Sequence, residues 1–177
     1  ADIFDTIEAY RRISGQCSYP LHLGLTATGI PSQGAIKSSI ALGILLCEGI
    51  GDTIRVSLTD SPVEEVKVAK YILGSLGLRN FGPEIISCPT CGRCSVDLIK
   101  IVKDLEGRLV TIDHRLSTRP MKLAVMGCAV NGPGEAKQAD IGIAFEKQSR
   151  GLLFKKGKAI KKVPFSGCID TLLKELE

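Results

Sequence analysis

Hydrophobic and polar positions divide the chain into two regions with different patterns, and the change falls near residue 83. In the first region, apolar runs of strand length alternate with apolar residues at helical spacing. The predicted strands are residues 21–25 and 52–58. One predicted helix carries Ile36, Ile40, Ile44 and Cys47, and the next carries Val63, Val66, Ile72, Leu73 and Leu76 as its buried stripe. Successive strand–helix units of this kind predict a parallel sheet, either doubly wound or closed as a barrel.

Local residues predict where these helices begin and end. Gly49 follows the first helix and suits a C-terminal cap. Ser61-Pro-Val-Glu64 supplies an N-cap, a proline at the first helical position and a glutamate for a capping box. The chain opens inside a helical pattern (Ile3, Ile7, Tyr10) without an initiating Met, and it supplies only two or three strand–helix units. Because a closed eight-stranded barrel needs roughly 250 residues, we expect the C-terminal portion of a longer enzyme.

The second region has a different pattern, typical of a small α+β module. A helix is predicted from Cys94 to Leu109, with Leu98, Ile101, Val102 and Leu105 facing inward. Short strands are predicted at residues 121–126, 141–145, 151–154 and 159–163, and a last amphipathic helix at about residues 167–176. Residues 84–87 are predicted to form a short third strand of the first series. The boundaries of the two predicted domains are therefore 1–83 and 84–177.

Composition narrows the class of protein. The 177 residues are 44% hydrophobic and 5% aromatic, which fits a soluble α/β protein, and the longest apolar stretch (residues 40–47) is far too short to span a bilayer. Seven cysteines without the spacing of a secreted disulfide framework favour a reducing cytoplasm. The net charge of +4 gives no indication of nucleic-acid binding, although it suits an anionic small substrate or an acidic protein partner.

Cysteines at metal-ligand spacing are the strongest chemical signal in the chain. Cys88 and Cys91 form a C-x-x-C pair, and Cys128 follows a buried strand, with Glu135 seven residues further on. Thiolates select zinc, copper or iron–sulfur clusters. We interpret the set as a 4Fe–4S site with three cysteine ligands and one glutamate, although ligand type alone also allows a zinc knuckle that uses Cys94 in place of the carboxylate.

Five segments of the chain closely resemble one family, the 4-hydroxy-3-methylbut-2-enyl diphosphate synthases of the methylerythritol phosphate route to isoprenoids. The resemblance begins at about residue 17 and runs to the end of the chain. The segments are Tyr19-Pro-Leu-His-Leu-Gly24, Gly34-Ala-Ile-Lys-Ser38, Glu48-Gly-Ile-Gly-Asp-Thr-Ile-Arg-Val-Ser-Leu58, Cys88-Pro-Thr-Cys-Gly-Arg93 and Met126-Gly-Cys-Ala-Val-Asn-Gly-Pro-Gly-Glu-Ala136.

The resemblance implies both a fold and an activity. It implies the last βα units of a TIM-type barrel, followed by a 4Fe–4S domain that resembles the sulfite/nitrite reductase fold. The implied reaction removes a ring oxygen from 2-C-methyl-D-erythritol 2,4-cyclodiphosphate with two electrons. It further implies a ferredoxin or flavodoxin as electron donor, a homodimer in the cytoplasm, and no nucleic-acid or membrane partner.

The same resemblance, together with residue placement, suggests a substrate site. Asn131 lies three residues after Cys128 and is expected to contact the substrate or the ligand sphere, although Asn-Gly is also a common turn. Arg55 and Ser57 alternate on one strand and so point to the same side, where they can hold phosphate oxygens. His22 and Lys37 are weaker candidates. A histidine with its hydrogen bonds satisfied in the core, or a solvated lysine at a helix start, would give the same sequence pattern.

One position departs from the family pattern. The family reads Thr-Glu-Ala-Gly where this chain reads Thr26-Ala27-Thr28-Gly29, so the implied catalytic carboxylate is absent and Asp60 is a candidate replacement. Cys94 is predicted to be a bystander, because a helix starting at Ser95 would carry it away from the site. Cys17, Cys47 and Cys168 are interpreted as buried small hydrophobes.

Two other functions remain open from the residues alone. A stand-alone electron-transfer module would have an all-cysteine cluster, and a zinc-stabilised structural domain would have no cluster. A basic stretch near the last hairpin favours an edge strand that blocks aggregation, with a docking site for an acidic ferredoxin or flavodoxin as the alternative. It consists of Lys155, Lys156, Lys158, Lys161 and Lys162.

Overall fold

The computed structural model describes residues 2–111, 120–130, 134, 136–146 and 150–176. The chain divides into two compact units, Ala1–Asn80 and Phe81–Glu177. Both units combine helices and strands, which confirms the predicted α/β class. Within the described residues, every helix is too short or too polar to cross a membrane.

The first unit alternates helices with two short parallel strands. The helices are α1 (Ile3–Ser14), α2 (Pro31–Cys47) and α3 (Pro62–Ser75), and the strands are β1 (His22–Gly24) and β2 (Thr53–Arg55). The strands pair in parallel, with Leu23 opposite Ile54. β2 is shorter than predicted because its ladder ends with the three-residue partner strand.

The core of the first unit lies where α2 packs against the strands. The buried side chains are Ile7, Leu23, Leu25, Ala41, Leu42, Leu45, Val56 and Ile72. Ile36, Ile40 and Ile44 are exposed instead, because the buried face of α2 is the one that carries Gly34, Ser38, Ala41, Leu42 and Leu45. A side chain at Gly34 would meet the Leu58 Cδ2 atom at 2.5 Å, so this close approach requires glycine.

Two helix boundaries in this unit follow from local hydrogen bonds. Gly49 has a φ of +74°, and the Ile50 N–H donates to the Leu45 carbonyl at 2.9 Å, so α2 ends in a glycine cap as predicted. The Ser61 hydroxyl accepts from the Val63 N–H at 3.4 Å and caps α3. The predicted capping box is wrong in one part, because the Glu64 carboxylate pairs with Lys67 at 2.6 Å.

The second unit is a five-stranded mixed sheet with helices on one face. The described helices are α4 (Leu98–Thr111) and α5 (Cys168–Lys174), the latter preceded by a 3-10 turn at Phe165–Gly167. The strands are β3 (Pro83–Ser87), β4 (Met121–Met126), β5 (Ile141–Glu146), β6 (Arg150–Lys155) and β7 (Lys158–Pro164). The order is β3-β4-β5-β6-β7, with β3, β4 and β5 parallel and the last two pairings antiparallel. The prediction of β3 as a third strand of the first series is therefore wrong, because β3 pairs with β4.

Side chains alternate across this sheet because successive residues of a strand point to opposite faces. Leu123 and Val125 of β4 face the helices and join the larger core, whereas Ala124 and Met126 face the other side. That second face is covered in part by Ala136 and Ala139. From Leu123 to Met126 the strand β4 is therefore buried on both faces, which explains the unbroken apolar run Leu-Ala-Val-Met, whereas Lys122 is exposed.

The start of α4 differs from the prediction, which put it at Cys94. The Asp97 carboxylate accepts from the Lys100 N–H at 3.0 Å, so the helix is capped at Asp97 and begins at Leu98. The Ser95 N–H is already bonded to the Gly127 carbonyl at 3.2 Å. A tertiary hydrogen bond thus holds the preceding residues in a loop.

Candidate metal centre

The cysteine motifs lie at the carboxyl ends of two neighbouring parallel strands. Cys88 directly follows β3, and Gly127 and Cys128 directly follow β4. The register pairs Ser87 with Val125, so both strands end at the same edge of the sheet. In open parallel sheets this is the edge where ligands bind.

Gly127 connects the two cysteine-bearing loops through its backbone. Its N–H donates a hydrogen bond to the Cys88 Sγ atom at 3.2 Å. Its carbonyl accepts from the Ser95 N–H. The loop after β3 is therefore fastened to the end of β4 on both sides of the C-x-x-C pair.

The intervening loop is compact and carries two further cysteines. The Cys91 N–H bonds to the Pro89 carbonyl at 2.8 Å, and the Cys94 N–H bonds to the Cys91 carbonyl at 2.9 Å. The Cys94 thiol donates to the Val96 carbonyl at 3.3 Å. Cys91 is exposed, while Cys88, Cys94 and Cys128 are half-buried.

The donor set fits a thiolate-ligated metal or cluster. Soft sulfur ligands come from two adjacent strand ends, and Cys88 already accepts a backbone N–H, as cluster cysteines commonly do. Among the described residues, however, no three His, Cys, Asp or Glu side chains are arranged as a ready-made metal site. Asn131 and Glu135 lie outside the described residues.

The predicted substrate residues Arg55 and His22 share one face of the small sheet in the first unit. Leu23 is buried on the opposite face, so the side chains of His22, Thr53 and Arg55 lie together on the exposed side. The His22 Nδ1 atom is 2.7 Å from the Thr53 hydroxyl. A Cβ atom at Gly24 would be 3.1 Å from the Arg55 Nε atom, so the guanidinium lies across this glycine.

The other candidates in this unit are spread around the carboxyl ends of the strands. Ser57 lies beyond the ladder and is half-buried, and its carbonyl accepts from the buried Thr28 hydroxyl. Lys37 is half-buried and is the seventh residue of α2, so it does not lie at the helix start where the sequence analysis put it. The Asp60 carboxylate accepts from the Ser61 N–H at 2.6 Å. Ala27 has a φ of 52°, in the left-handed region.

Sequence reasoning missed two residues that hold the candidates in place. Gly127 bonds to the loop after β3, and the sequence signal for it is a glycine immediately before a predicted ligand cysteine. Thr53 hydrogen-bonds to His22. The two-residue alternation that placed Arg55 and Ser57 on one side of the strand also indicates Thr53. Of the three cysteines interpreted as buried, Cys168 is buried, whereas Cys47 is exposed and Cys17 is half-buried.

Both units match known family models. Residues 84–177 match the model described as the GcpE protein C-terminal domain, and residues 1–70 match the GcpE TIM-barrel domain. These matches agree with the placement of the cysteine motifs in the second unit.

Curated relatives carry one shared name, "4-hydroxy-3-methylbut-2-en-1-yl diphosphate synthase (flavodoxin)". The chain is 58% identical to the protein of Lawsonia intracellularis over 163 residues, which is 92% of this chain and 44% of the relative. It is 53% identical to the Thermodesulfovibrio yellowstonii protein over 176 residues, which is 99% of this chain and 49% of the relative. It is 56% identical to the Clostridium acetobutylicum protein over 171 residues, which is 97% of this chain and 47% of the relative. The chain thus spans about half the length of the curated relatives it matches.

Proposed function

The chain belongs to the GcpE family, and from this premise we propose that it is part of an iron–sulfur oxidoreductase of isoprenoid biosynthesis. The proposed reaction is the reductive ring opening and dehydration of 2-C-methyl-D-erythritol 2,4-cyclodiphosphate to 4-hydroxy-3-methylbut-2-enyl diphosphate. The observation that carries the proposal is the hydrogen bond from Gly127 to Cys88, which joins the two cysteine-bearing strand ends. The shared name of the relatives gives independent support.

The ligands we propose for a 4Fe–4S cluster are Cys88, Cys91, Cys128 and Glu135. When bound, such a cluster supplies electrons and one iron with an exchangeable oxygen ligand that can act as a Lewis acid. Three thiolates are enough to anchor the group, so Glu135 is free to exchange. The loop hydrogen bonds of Gly127 keep Cys88 beside Cys128 before any metal is bound.

The substrate residues we propose are Arg55, Ser57, His22 and Lys37 of the first unit and Asn131, which follows Cys128 by three residues in the sequence. Arg55 offers a charged fork that matches phosphate oxygens, and Ser57 offers a hydroxyl. Thr53 holds the His22 ring through Nδ1, which leaves Nε2 for the substrate. Lys37 adds positive charge near the diphosphate. The carboxylate that the family pattern has at the position of Ala27 is replaced in this proposal by Asp60.

Several wider properties belong to the same proposal. The first unit forms the last part of a TIM-type barrel, and the second adopts a fold like that of the sulfite and nitrite reductases. Flavodoxin or ferredoxin supplies the electrons, and two copies form a homodimer. All seven cysteines are free, which suits the reducing cytoplasm.

Anaerobic purification of the full-length enzyme tests the proposal most directly. We expect a brown, air-sensitive protein with stoichiometric iron and sulfide, and reduction of the cyclodiphosphate when reduced flavodoxin is present. The matched control is Cys128→Ala, which removes one thiolate anchor and should lose the iron. Stoichiometric zinc without sulfide would instead identify a structural zinc domain, and a cluster without affinity for the cyclodiphosphate would identify an electron-transfer module.

A further inference from the structure

The backbone of Gly127 lies against the loop that carries Cys88 and Cys94. Its lack of a side chain leaves space that a neighbouring residue can fill. A Cβ atom built on Gly127 would lie 2.5 Å from the Cys94 Sγ atom and 3.3 Å from its Cβ atom. Real Cβ atoms do not approach a sulfur so closely, so the Cys94 thiol occupies the space where a side chain of residue 127 would be. Glycine is required here by this contact, because Gly127 is outside the left-handed backbone region in which glycine is favoured.

The Cys94 thiol is held in this position from two sides. It donates to the Val96 carbonyl at 3.3 Å, and it packs against the core that includes Leu98. The Sγ atom thus has a hydrogen-bond partner within its own loop and apolar neighbours in the core. The contacts of Cys94 are therefore those of a packing residue.

The same glycine determines where Cys88 lies. Its N–H is 3.2 Å from the Cys88 Sγ atom, on the residue that directly precedes Cys128. Any movement that separates Gly127 from Cys94 must also change this N–H···S contact, because both involve the same short piece of backbone.

We infer that Gly127 and Cys94 form a steric pair that positions Cys88. Gly127 is the positioning residue, its N–H orients the Cys88 sulfur, and Cys94 is the spacer that fills the space left by the absent side chain. This inference rests on the proposed function where it concerns a cluster, but the packing of the pair does not depend on one.

A double-mutant cycle in the full-length, anaerobically purified enzyme tests the pair. Gly127→Ala should weaken iron retention by about tenfold to hundredfold, the usual effect of losing a residue that orients a ligand. In the fraction that keeps its cluster, the reduction potential should become more negative, because a hydrogen bond to a cluster sulfur stabilises the reduced, more negative state. Cys94→Ala alone should keep its iron, and Gly127→Ala/Cys94→Ala should recover iron retention and potential, since the second change removes the sulfur that blocks the methyl group.

Two further variants keep the test decisive. Gly92→Ala is the matched control in the same loop, because a Cβ atom at Gly92 has no neighbour within 4 Å, and it should behave as wild type. If Gly127→Ala does not fold, Cys94→Leu overfills the same space with Gly127 unchanged and should give the same negative shift of the potential.

The outcomes separate this inference from the proposed function. Loss of iron by Cys94→Ala comparable to the loss by Cys91→Ala would make Cys94 a ligand and overturn the inference, as would a double variant no better than Gly127→Ala. If the wild-type enzyme holds no iron and sulfide, the proposed function is wrong. The thermal stabilities of the same four proteins then test the pair alone, and additive effects on stability would overturn it.

Discussion

Arg55→Ala should weaken binding of the cyclodiphosphate without changing the iron content of the enzyme. Arg55 is exposed on the face of β2 that also carries Thr53. Among the described residues, no carboxylate forms an ion pair with it. Its guanidinium therefore has no internal carboxylate to compete with a phosphate group. A lost hydrogen bond between charged groups costs about 1.5–3 kcal/mol, and each 1.4 kcal/mol is about tenfold in affinity. The dissociation constant should rise about tenfold to hundredfold.

The measurement is calorimetric titration of the full-length, oxidised enzyme with the cyclodiphosphate, so that binding is separated from turnover. Arg55→Lys keeps the charge but loses the planar fork, and we expect an intermediate loss. Arg12→Ala is the matched control, because Arg12 pairs with Glu8 on the surface of α1 and its removal changes the net charge equally.

Gly24→Ala tests the same contact from the opposite side. The new methyl group would lie 3.0 Å from the Arg55 carbonyl oxygen and 3.1 Å from the Nε atom, so it would shift the guanidinium slightly without changing its charge. We expect weaker binding than in wild type. A dissociation constant that is unchanged in Arg55→Ala, or changed equally in Arg12→Ala, would remove Arg55 from the phosphate site.

Three further outcomes are expected. Glu135→Ala should retain iron and sulfide but lose turnover, whereas Cys128→Ala should lose the cluster; normal turnover in Glu135→Ala would contradict the exchangeable ligand. Burial raises the pKa of Cys168 from 9.0 to about 11. The stability due to this neutral thiol is therefore complete below about pH 9 and declines as the pH approaches 11. Measured by chemical denaturation, the free energy of unfolding should fall less over this pH range in Cys168→Ala than in wild type. Gly142→Ala places a methyl group 2.4 Å from the Phe154 Cζ atom and should lower the free energy of unfolding by about 1–3 kcal/mol. A Cβ atom at Gly107 has no neighbour within 4 Å, so Gly107→Ala should stabilise α4 by up to about 1 kcal/mol.

The strands and most helix ends could be predicted from the sequence because their signals are local. β4 matches the prediction at both ends, since a short, mostly apolar run bounded by Pro120 and Gly127 is typical of a buried strand. Ser61 and Gly49 act as caps because the chemistry of a cap depends on a few neighbouring residues.

The orientation of α2 and the start of α4 could not be predicted, because tertiary contacts decide both. α2 is apolar on more than one side, and its large isoleucines looked like the buried face. Gly34 and Ser38 allow a close approach at the start of the helix, so the face that they share with Ala41, Leu42 and Leu45 is buried instead. The loop before α4 persists because a carbonyl on a distant strand end takes the Ser95 N–H.

In the cysteine site, too, local features could be predicted from the sequence and tertiary contacts could not. Ligand spacing is local, so Cys88, Cys91 and Cys128 could be proposed from the sequence. The relation between Gly127 and Cys94 depends on which strands are neighbours, and no spacing rule contains that information. The sequence-based reason for treating Cys94 as a bystander was a helix starting at Ser95, which is wrong; the contact with Gly127 now gives a different physical reason for the same role.

The lysine-rich hairpin between β6 and β7 is poorly placed to deliver electrons to the cysteines. β7 runs parallel to β4, so the hairpin at Lys155–Lys158 lies at the end of the sheet opposite Cys88 and Gly127. A six-residue strand at about 3.3 Å per residue separates the two ends by roughly 17 Å along the strand direction alone. Electron transfer slows steeply with distance, so in the proposed enzyme an electron carrier approaches the cysteine edge instead. Because β7 is an edge strand, these lysines are better explained as charges that prevent pairing with another chain.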